Sequence, residues 1–268
     1  MRRYSRFVTA DEPLCRYCTA PLDDAYYFCT TCGTPYRDED LVLPRVPPLR
    51  PTAGMQIRAR APQAVRLFWT YFAVVAGGSI FAQLAFGDVK PVVALVFLDV
   101  LLLVTTLGFA IVYWPSLVPQ FRRVGFDHWE AWVGLLALAP LLGLGALYQD
   151  LLRQLTGGEI VSPIARLREA GMGEGALLLA ICVFPAIGEE IAFRGLLQHW
   201  LHVAVRASTA IVLASALFAS LHFNLLSFPY LFVVGSLLGW LRWRTGSLWP
   251  SMAAHFAHNY VVLAYFAG

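Results

Sequence analysis

The chain has 268 residues, of which 58% are hydrophobic and only 14% are charged. Soluble domains carry about a quarter of charged residues, so this composition excludes an ordinary soluble protein and indicates one that spans a lipid bilayer. The net charge of +3 could suit a nucleic-acid partner, but the arginines lie beside apolar runs, as they do in the cytoplasmic flanks of membrane proteins. We therefore expect the bilayer, and no nucleic acid, as a partner.

The first 36 residues contain four of the five cysteines, in two Cys-x-x-Cys pairs: Cys15, Cys18, Cys29 and Cys32. Four thiolates with this spacing can bind one tetrahedral Zn²⁺, which supplies folding free energy that so short a segment cannot obtain from a buried core. Two disulfides or four unrelated thiols are the alternatives, and disulfides would require an oxidising compartment. The pattern predicts a structural zinc ribbon over residues 1–36, similar to ribbons fused to bacterial membrane proteins. Such a ribbon could bind a protein partner.

A segment rich in proline and arginine follows at residues 37–66 and predicts an extended linker. The remaining residues, 67–268, alternate between short polar segments and apolar runs of roughly membrane length. They predict an all-α polytopic membrane bundle of about seven transmembrane helices, at 67–87, 91–114, 130–149, 176–200, 207–223, 228–243 and 247–267. The charged loop at 150–175 could instead hold an interfacial helix, which would change the number of spans.

The arginines that flank these runs indicate the orientation of the protein. They precede the first span and recur in later loops, at Arg122, Arg123, Arg206, Arg242 and Arg244. Because cytoplasmic loops carry an excess of basic residues, the pattern predicts a multi-pass protein of the cell inner membrane with its N-terminus in the cytoplasm. His199 and His202, at the end of the predicted fourth span, are interpreted as residues of the membrane interface.

The predicted fourth span contains three charged residues, Glu189, Glu190 and Arg194. Charged side chains within a span are costly and usually face a cavity or one another. Glu190 and Arg194 are four residues apart, so they share one helical face and can form an ion pair. Glu189 points about 100° away and is free for another partner. A purely structural ion pair is the alternative interpretation for Glu190 and Arg194.

Two later apolar segments add further polar side chains. The fifth predicted span carries Phe218 and His222, and the seventh carries His255 and Asn259 on one helical face. His258 could approach the same cavity or be a bystander. Carboxylates, imidazoles and an amide together suit the activation of a water molecule. With straight spans His222 would lie too far towards the outer face to reach Glu189, unless the fifth helix tilts, starts later or ends inside the bundle.

The three sets of residues follow one another in a recognisable order. Glu189-Glu190-x-x-x-Arg194, Phe218-x-x-x-His222 and His255-x-x-x-Asn259 resemble the three motifs of the CAAX-prenyl-protease and bacteriocin-processing (CPBP, Abi) family of intramembrane peptidases. The resemblance covers roughly residues 175–265. Each motif alone is a weak signal, and the three in order on membrane helices are a strong one.

This resemblance implies an intramembrane endopeptidase that hydrolyses a peptide bond of a membrane-associated or prenylated-type substrate. It implies that Glu189 and His222 activate the attacking water. It further implies that His255 and Asn259 stabilise the oxyanion formed on the scissile carbonyl, and that the Glu190–Arg194 pair supports them.

The sequence leaves two questions open: whether the site binds a catalytic metal, and whether the protein is a protease at all. Two histidines and a glutamate could bind a catalytic zinc, whereas the family has also been described as glutamate-dependent, and the chain contains no His-Glu-x-x-His helix. The metal is therefore left open, with the glutamate mechanism slightly preferred. A scaffold, immunity or regulatory protein without protease activity could retain the same fold. An ion-relaying transporter is disfavoured, because no paired broken helices are evident.

Overall fold

The computed structural model describes residues 53–86, 90–156 and 163–266, together with the single positions 15, 22, 29 and 31. Every regular element in this part of the chain is helical, which confirms the predicted all-α class. The α-helices are α1 (Ala53–Ala85), α2 (Pro91–Val112), α3 (Trp114–Arg122), α4 (Trp129–Leu136), α5 (Leu138–Thr156), α6 (Pro163–Glu169), α7 (Glu174–Leu177), α8 (Phe184–Glu189), α9 (Gln198–Ala204), α10 (Ala207–Ser220), α11 (Phe228–Thr245) and α12 (Trp249–Val261). Turns of π-helix occupy Leu178–Val183, Glu190–Leu197 and Val262–Phe266.

Four stretches of the described chain are long and apolar enough to cross a membrane: Val65–Ala85, Pro91–Val112, Trp129–Leu155 and Glu174–His202. They support an integral membrane protein. The apolar helix α10 has only 14 residues, or about 21 Å, against a hydrocarbon core of about 30 Å. The predicted number of seven spans is therefore not confirmed, although helices are present in all seven predicted regions.

The charged loop between the third and fourth of these stretches contains the short helix α6. Arg168 at its end forms an ion pair with Glu174, with 2.8 Å between Nε and Oε1. The same guanidinium donates a hydrogen bond from Nη2 to the backbone oxygen of Leu263, at 3.2 Å. The hydrogen bond to Glu174 raises the pKa of Arg168. These contacts tie α6 to the C-terminal end of the bundle.

The centre of the bundle is formed by α10, α11 and α12 packed against the helical stretch that begins at Glu174. Gly235 on α11 allows α10 to come close, because a Cβ at this position would lie 3.2 Å from atoms of Phe218 and Ser215. Small residues at such crossings let helix backbones approach closely in membrane proteins. Phe193 and Phe218 pack edge to face in the resulting core, with ring centroids 5.4 Å apart.

His199 and His202 lie at the end of a candidate span, as expected, but their side chains do not face lipid headgroups or water. Both side chains are buried, with exposures of 3% and 4%. They lie on α9, at the end of a long apolar helix, where sequence position alone suggested the membrane surface. The packing of α1 and α10 against α9 covers this end of the helix instead.

The predicted zinc ribbon lies mostly outside the described residues. Cys18 and Cys32 belong to the part of the chain that the structure does not describe, as do residues 37–52 of the predicted linker. Cys15 and Cys29 are described, and both are buried. The second half of the predicted linker is described and is not extended, because α1 begins at Ala53 and runs through residues 53–66. The ribbon and the first half of the linker stay predictions.

Candidate active site

A cavity of about 870 Å³ opens between α1, α2, the helical stretch from Glu174, and α10 to α12. Its wall includes four of the six predicted site residues, which are Glu189, His222, His255 and Asn259. Much of the remaining wall is apolar and comes from α1 and α2. The three motifs, separated in sequence by up to about seventy residues, therefore converge on one space. The wall from α1 and α2 is mostly apolar but also includes Ser79, Gln83 and Asp99.

Glu190 and Arg194 lie behind this wall rather than in it. Their side chains are 0% and 1% exposed, and Arg194 Nη1 donates to Glu190 Oε1 at 2.9 Å. Arg194 also donates from Nη2 to the backbone oxygen of Gly235, at 3.0 Å, and its guanidinium lies 4.6 Å from the centroid of the Phe218 ring. The ion pair predicted from the spacing is confirmed, and it joins the first motif to α10 and α11.

His255 connects the buried ion pair to the cavity. Its Nδ1 lies 2.9 Å from Glu190 Oε1, and its Nε2 lies 3.7 Å from Glu189 Oε2. Because an ionised carboxylate can only accept a hydrogen bond, the proton of the shorter contact is on Nδ1. His255 is therefore held at one nitrogen by the supporting pair and presents the other nitrogen to the carboxylate that lines the cavity.

His222 reaches the cavity because α10 ends early. The helix stops at Ser220, and the next turn contains Phe223 with φ of 49°, a left-handed conformation that is rare for a bulky residue. The turn at residues 222–226 is exposed, and His222 lines the same cavity as Glu189. His222 Nδ1 lies 3.0 Å from the backbone oxygen of Phe218. Since a carbonyl only accepts, Nδ1 carries the proton, and Nε2 of the neutral ring is left as an acceptor.

Asn259 lies one helical turn after His255 on α12. Its Nδ2 donates to the backbone oxygen of Ile181 at 2.8 Å, and its Oδ1 lies 2.8 Å from His258 Nδ1. One of the two amide hydrogens is used in this way and the other remains. His258 also lines the cavity, so the structure brings it to the same space as the third motif.

Asp99 is a cavity residue that sequence analysis missed. It is the only charged residue of α2, and it lines the same cavity as Glu189. A single carboxylate in an otherwise apolar span indicates a functional position in membrane proteins, and this signal was available from the sequence.

The described part of the cavity holds no preformed cluster of metal-ligating side chains. Within residues 53–86, 90–156 and 163–266, no group of three or more His, Cys, Asp and Glu side chains is arranged to hold a metal ion. His222 and His255 are each bonded through Nδ1 to another acceptor. Metal-bound histidines commonly make such a bond with the ring nitrogen that does not bind the metal, so the choice between a metal and a glutamate mechanism stays a prediction.

The segment that carries the three motifs also matches a known family. Residues 173–261 match the family model described as type II CAAX prenyl endopeptidase Rce1-like. The match covers about a third of the chain and includes all six predicted site residues. No curated protein and no solved structure matches the chain. The matched family is one of proteases, which supports protease activity in a membrane and a peptide as the substrate.

Proposed function

We propose that this protein is an intramembrane endopeptidase that hydrolyses a peptide bond of a membrane-associated or prenylated-type substrate. The observation that carries the proposal is the single cavity lined by Glu189, His222, His255 and Asn259, within the segment that matches a protease family. A carboxylate, two imidazoles and an amide around one space can activate a water molecule and stabilise the charge that develops during acyl transfer.

Glu189 and His222 activate the attacking water in this proposal. The carboxylate of Glu189 takes one proton of the water, and the free Nε2 of His222 accepts a hydrogen bond from the other. The water oxygen then bonds to the scissile carbonyl carbon, whose oxygen becomes an oxyanion. When the tetrahedral intermediate collapses, the C–N bond breaks and Glu189 returns its proton to the leaving amine. The products are a carboxylic acid and an amine, which become a carboxylate and an ammonium when the acid's proton passes to the amine, and the site regains its starting charge.

Asn259 and His255 stabilise the oxyanion. The amide hydrogen of Asn259 that is not bonded to Ile181 is a neutral donor for this purpose. His255 can donate from Nε2 only as an imidazolium, since its Nδ1 already carries a proton towards Glu190. The nearby carboxylates of Glu189 and Glu190 stabilise that cation. Donors held in place before the reaction stabilise an oxyanion better than bulk water does, because they need no reorganisation.

The buried Glu190–Arg194 pair acts as a support. Arg194 neutralises Glu190 and also bonds the backbone of α11, while Glu190 holds His255. Loss of either charge would release the imidazole and leave the other charge buried. We therefore assign this pair to the positioning of His255 and not to proton transfer.

The substrate enters this cavity along its apolar wall. Ile80, Leu95, Leu98 and Leu101 present hydrocarbon opposite the polar residues. Such a wall suits an apolar peptide segment or a lipid-modified C-terminus whose scissile bond lies at the polar side. The apolar helices further support insertion in a membrane, and we propose the inner membrane with a cytoplasmic N-terminus.

The test is proteolysis by the purified chain, in detergent or vesicles, of a panel of membrane peptides that includes prenylated C-termini. Glu189→Gln should lower the rate by on the order of 10²–10⁴, the usual contribution of a general base. Glu169→Gln is a matched control, because this glutamate is exposed on α6. A chelator added to wild type tests the metal alternative. If the folded wild type cleaves no peptide of the panel, the peptidase proposal fails and a scaffold that retains the fold replaces it. If Glu189→Gln cleaves as fast as wild type, Glu189 is not the base that activates the water.

We also propose that Cys15, Cys18, Cys29 and Cys32 bind one structural zinc ion. The burial of Cys15 and Cys29 supports this assignment, because ligand thiolates of a closed zinc site are shielded from solvent. The ribbon has no part in the hydrolysis, and it offers a cytoplasmic surface that a partner protein could bind.

A further inference from the structure

Asn259 belongs to a chain of hydrogen bonds that extends beyond the three motifs. The Nδ2 atom of Asn259 bonds to the backbone oxygen of Ile181, and its Oδ1 atom bonds to Nδ1 of His258. On the other side of the imidazole, Nε2 lies 2.7 Å from the hydroxyl oxygen of Tyr230. All three contacts lie between 2.7 and 2.8 Å. Tyr230 on α11 is thus linked to the helical stretch that contains the first motif.

The acceptor at the end of this chain is created by a proline. In an α-helix the carbonyl of Ile181 would accept from the N–H of the residue four positions later, but that residue is Pro185, which has no N–H. Ile181 lies in the π-helical turn Leu178–Val183 that precedes this proline. Turns of this kind are frequent at functional sites. The amide of Asn259 supplies the donor that the proline lacks.

The contacts determine the direction of each hydrogen bond between Ile181, Asn259, His258 and Tyr230. A carbonyl only accepts, so Nδ2 of Asn259 must face Ile181, and Oδ1 must face His258. His258 Nδ1 therefore carries a proton and donates it to Oδ1. In the neutral ring Nε2 is then an acceptor, so the Tyr230 hydroxyl is the donor at 2.7 Å. A flipped amide would place two acceptors or two donors against each other at both of its ends.

The ring of Tyr230 is held by close packing against α5. A Cβ at Gly145 would lie 2.6 Å from this ring, so only a glycine leaves the necessary space. The Tyr230 and His258 rings lie with their centroids 5.7 Å apart. The tyrosine hydroxyl is therefore directed at Nε2 by the surrounding helices and does not depend on the hydrogen bond alone.

We propose that His258 and Tyr230 are positioning residues that lock the amide of Asn259. In this arrangement the amide hydrogen that is not bonded to Ile181 is directed into the cavity, where the oxyanion forms. The inference rests on the proposed peptidase function. Of the two alternatives left open for His258, it adopts a role at the cavity over that of a bystander, and it adds Tyr230, which lies outside the three motifs.

The two nitrogens of His258 can be tested separately. An asparagine side chain places its amide nitrogen near the position of Nδ1, whereas a glutamine places it near Nε2. His258→Asn can therefore keep the donor to Asn259, and His258→Gln loses it. We expect His258→Gln to lower kcat by on the order of 10², the effect of a small misplacement of a reacting group, with KM unchanged. His258→Asn should recover most of kcat.

Tyr230→Phe removes only the hydroxyl, and it should lower kcat with little change in KM. Tyr260→Phe is the matched control, because this tyrosine is exposed on α12 and should keep full activity. The melting temperature of each variant is measured to detect a general loss of fold. If His258→Gln does not fold, Tyr230→Phe carries the test. Wild-type kcat in the folded Tyr230→Phe variant, or in a folded His258→Gln variant, would overturn the inference.

A readout without catalysis separates this inference from the proposed function. In protein with isotope-labelled histidine, the ring nitrogen shifts of His258 report which nitrogen carries the proton. We expect the Nδ1–H form in wild type and a mixture of forms in Tyr230→Phe. An Nε2–H form in wild type would overturn the inference even if no substrate is cleaved. Inactive wild type with the Nδ1–H form would instead contradict the proposed function alone.

Discussion

Replacement of Arg194 by glutamine should strongly destabilise the protein. The guanidinium is 1% exposed and neutralises Glu190, which is 0% exposed. The substitution also removes the hydrogen bond to Gly235 and the contact with the Phe218 ring. What remains is a buried carboxylate whose nearest partner is Nδ1 of His255.

The expected cost follows from the charge that is left behind. Removal of one partner of a buried ion pair typically costs about 3–5 kcal/mol, because the other charge stays buried without compensation. Glu190→Gln should cost a similar amount, since it leaves the Arg194 cation buried. The double substitution Glu190→Gln with Arg194→Gln leaves neither charge. It should therefore be less destabilising than the sum of the two single changes.

The assay is reversible unfolding in mixed detergent micelles, followed by circular dichroism, for wild type, both single variants and the double variant. Arg153→Gln is the control, because Arg153 pairs with Asp150 at 3.2 Å while both side chains are more than half exposed. Exposed pairs contribute about 0–1 kcal/mol. A loss below about 1 kcal/mol in Arg194→Gln, or strict additivity in the double variant, would refute the assignment of a buried, coupled pair.

Three further predictions concern other parts of the molecule. In the variant Asp99→Cys, the new thiol should react with a charged thiol reagent, because position 99 lines the cavity. In the control Val100→Cys, the thiol should react slowly, because position 100 is exposed on the outer apolar surface. Equal rates would contradict a wet cavity at this place. Gly145→Ala should lower the free energy of unfolding by about 1–3 kcal/mol through overpacking against the Tyr230 ring, while Gly143→Ala, with open space around its Cβ, should be neutral in the same unfolding assay. The purified full chain should contain about one zinc per molecule, and Cys18→Ser should lower that content in metal analysis. Unchanged zinc in this variant would contradict the ribbon.

The motifs and their local geometry could be predicted from the sequence. Spacing along one helix determines which side chains share a face, so the pairing of Glu190 with Arg194 followed from their separation by four residues. The order of the three motifs likewise indicated one site on several helices. Such inferences succeed because they depend on helical periodicity or on a known pattern of residues.

Features that depend on packing between helices could not be predicted in this way. The burial of His199 and His202 results from neighbouring helices that cover α9. The hydropathy of the sequence does not indicate which helices pack against one another. The early end of α10, with Phe223 in a left-handed turn, also has no signal in hydropathy. An apolar run therefore predicted a helix at this place, but not its length.

The hydrogen-bond chain at Asn259 lies between these two cases. The absence of an N–H at Pro185 follows from the sequence alone, and so does the carbonyl of Ile181 that it leaves without an α-helical donor. Which side chain supplies the donor depends on the approach of α12. Only the three-dimensional arrangement shows that Asn259 does so and that His258 and Tyr230 complete the chain.

The central claim is that Glu189 activates a water molecule in the cavity for attack on a peptide bond. The most direct measurement is mass spectrometry of the products of a cleaved membrane peptide in water enriched in heavy oxygen. The account predicts one heavy oxygen in the new C-terminal carboxylate with wild type, and no product above background with Glu189→Gln. Labelled product formed at the wild-type rate by Glu189→Gln would contradict it.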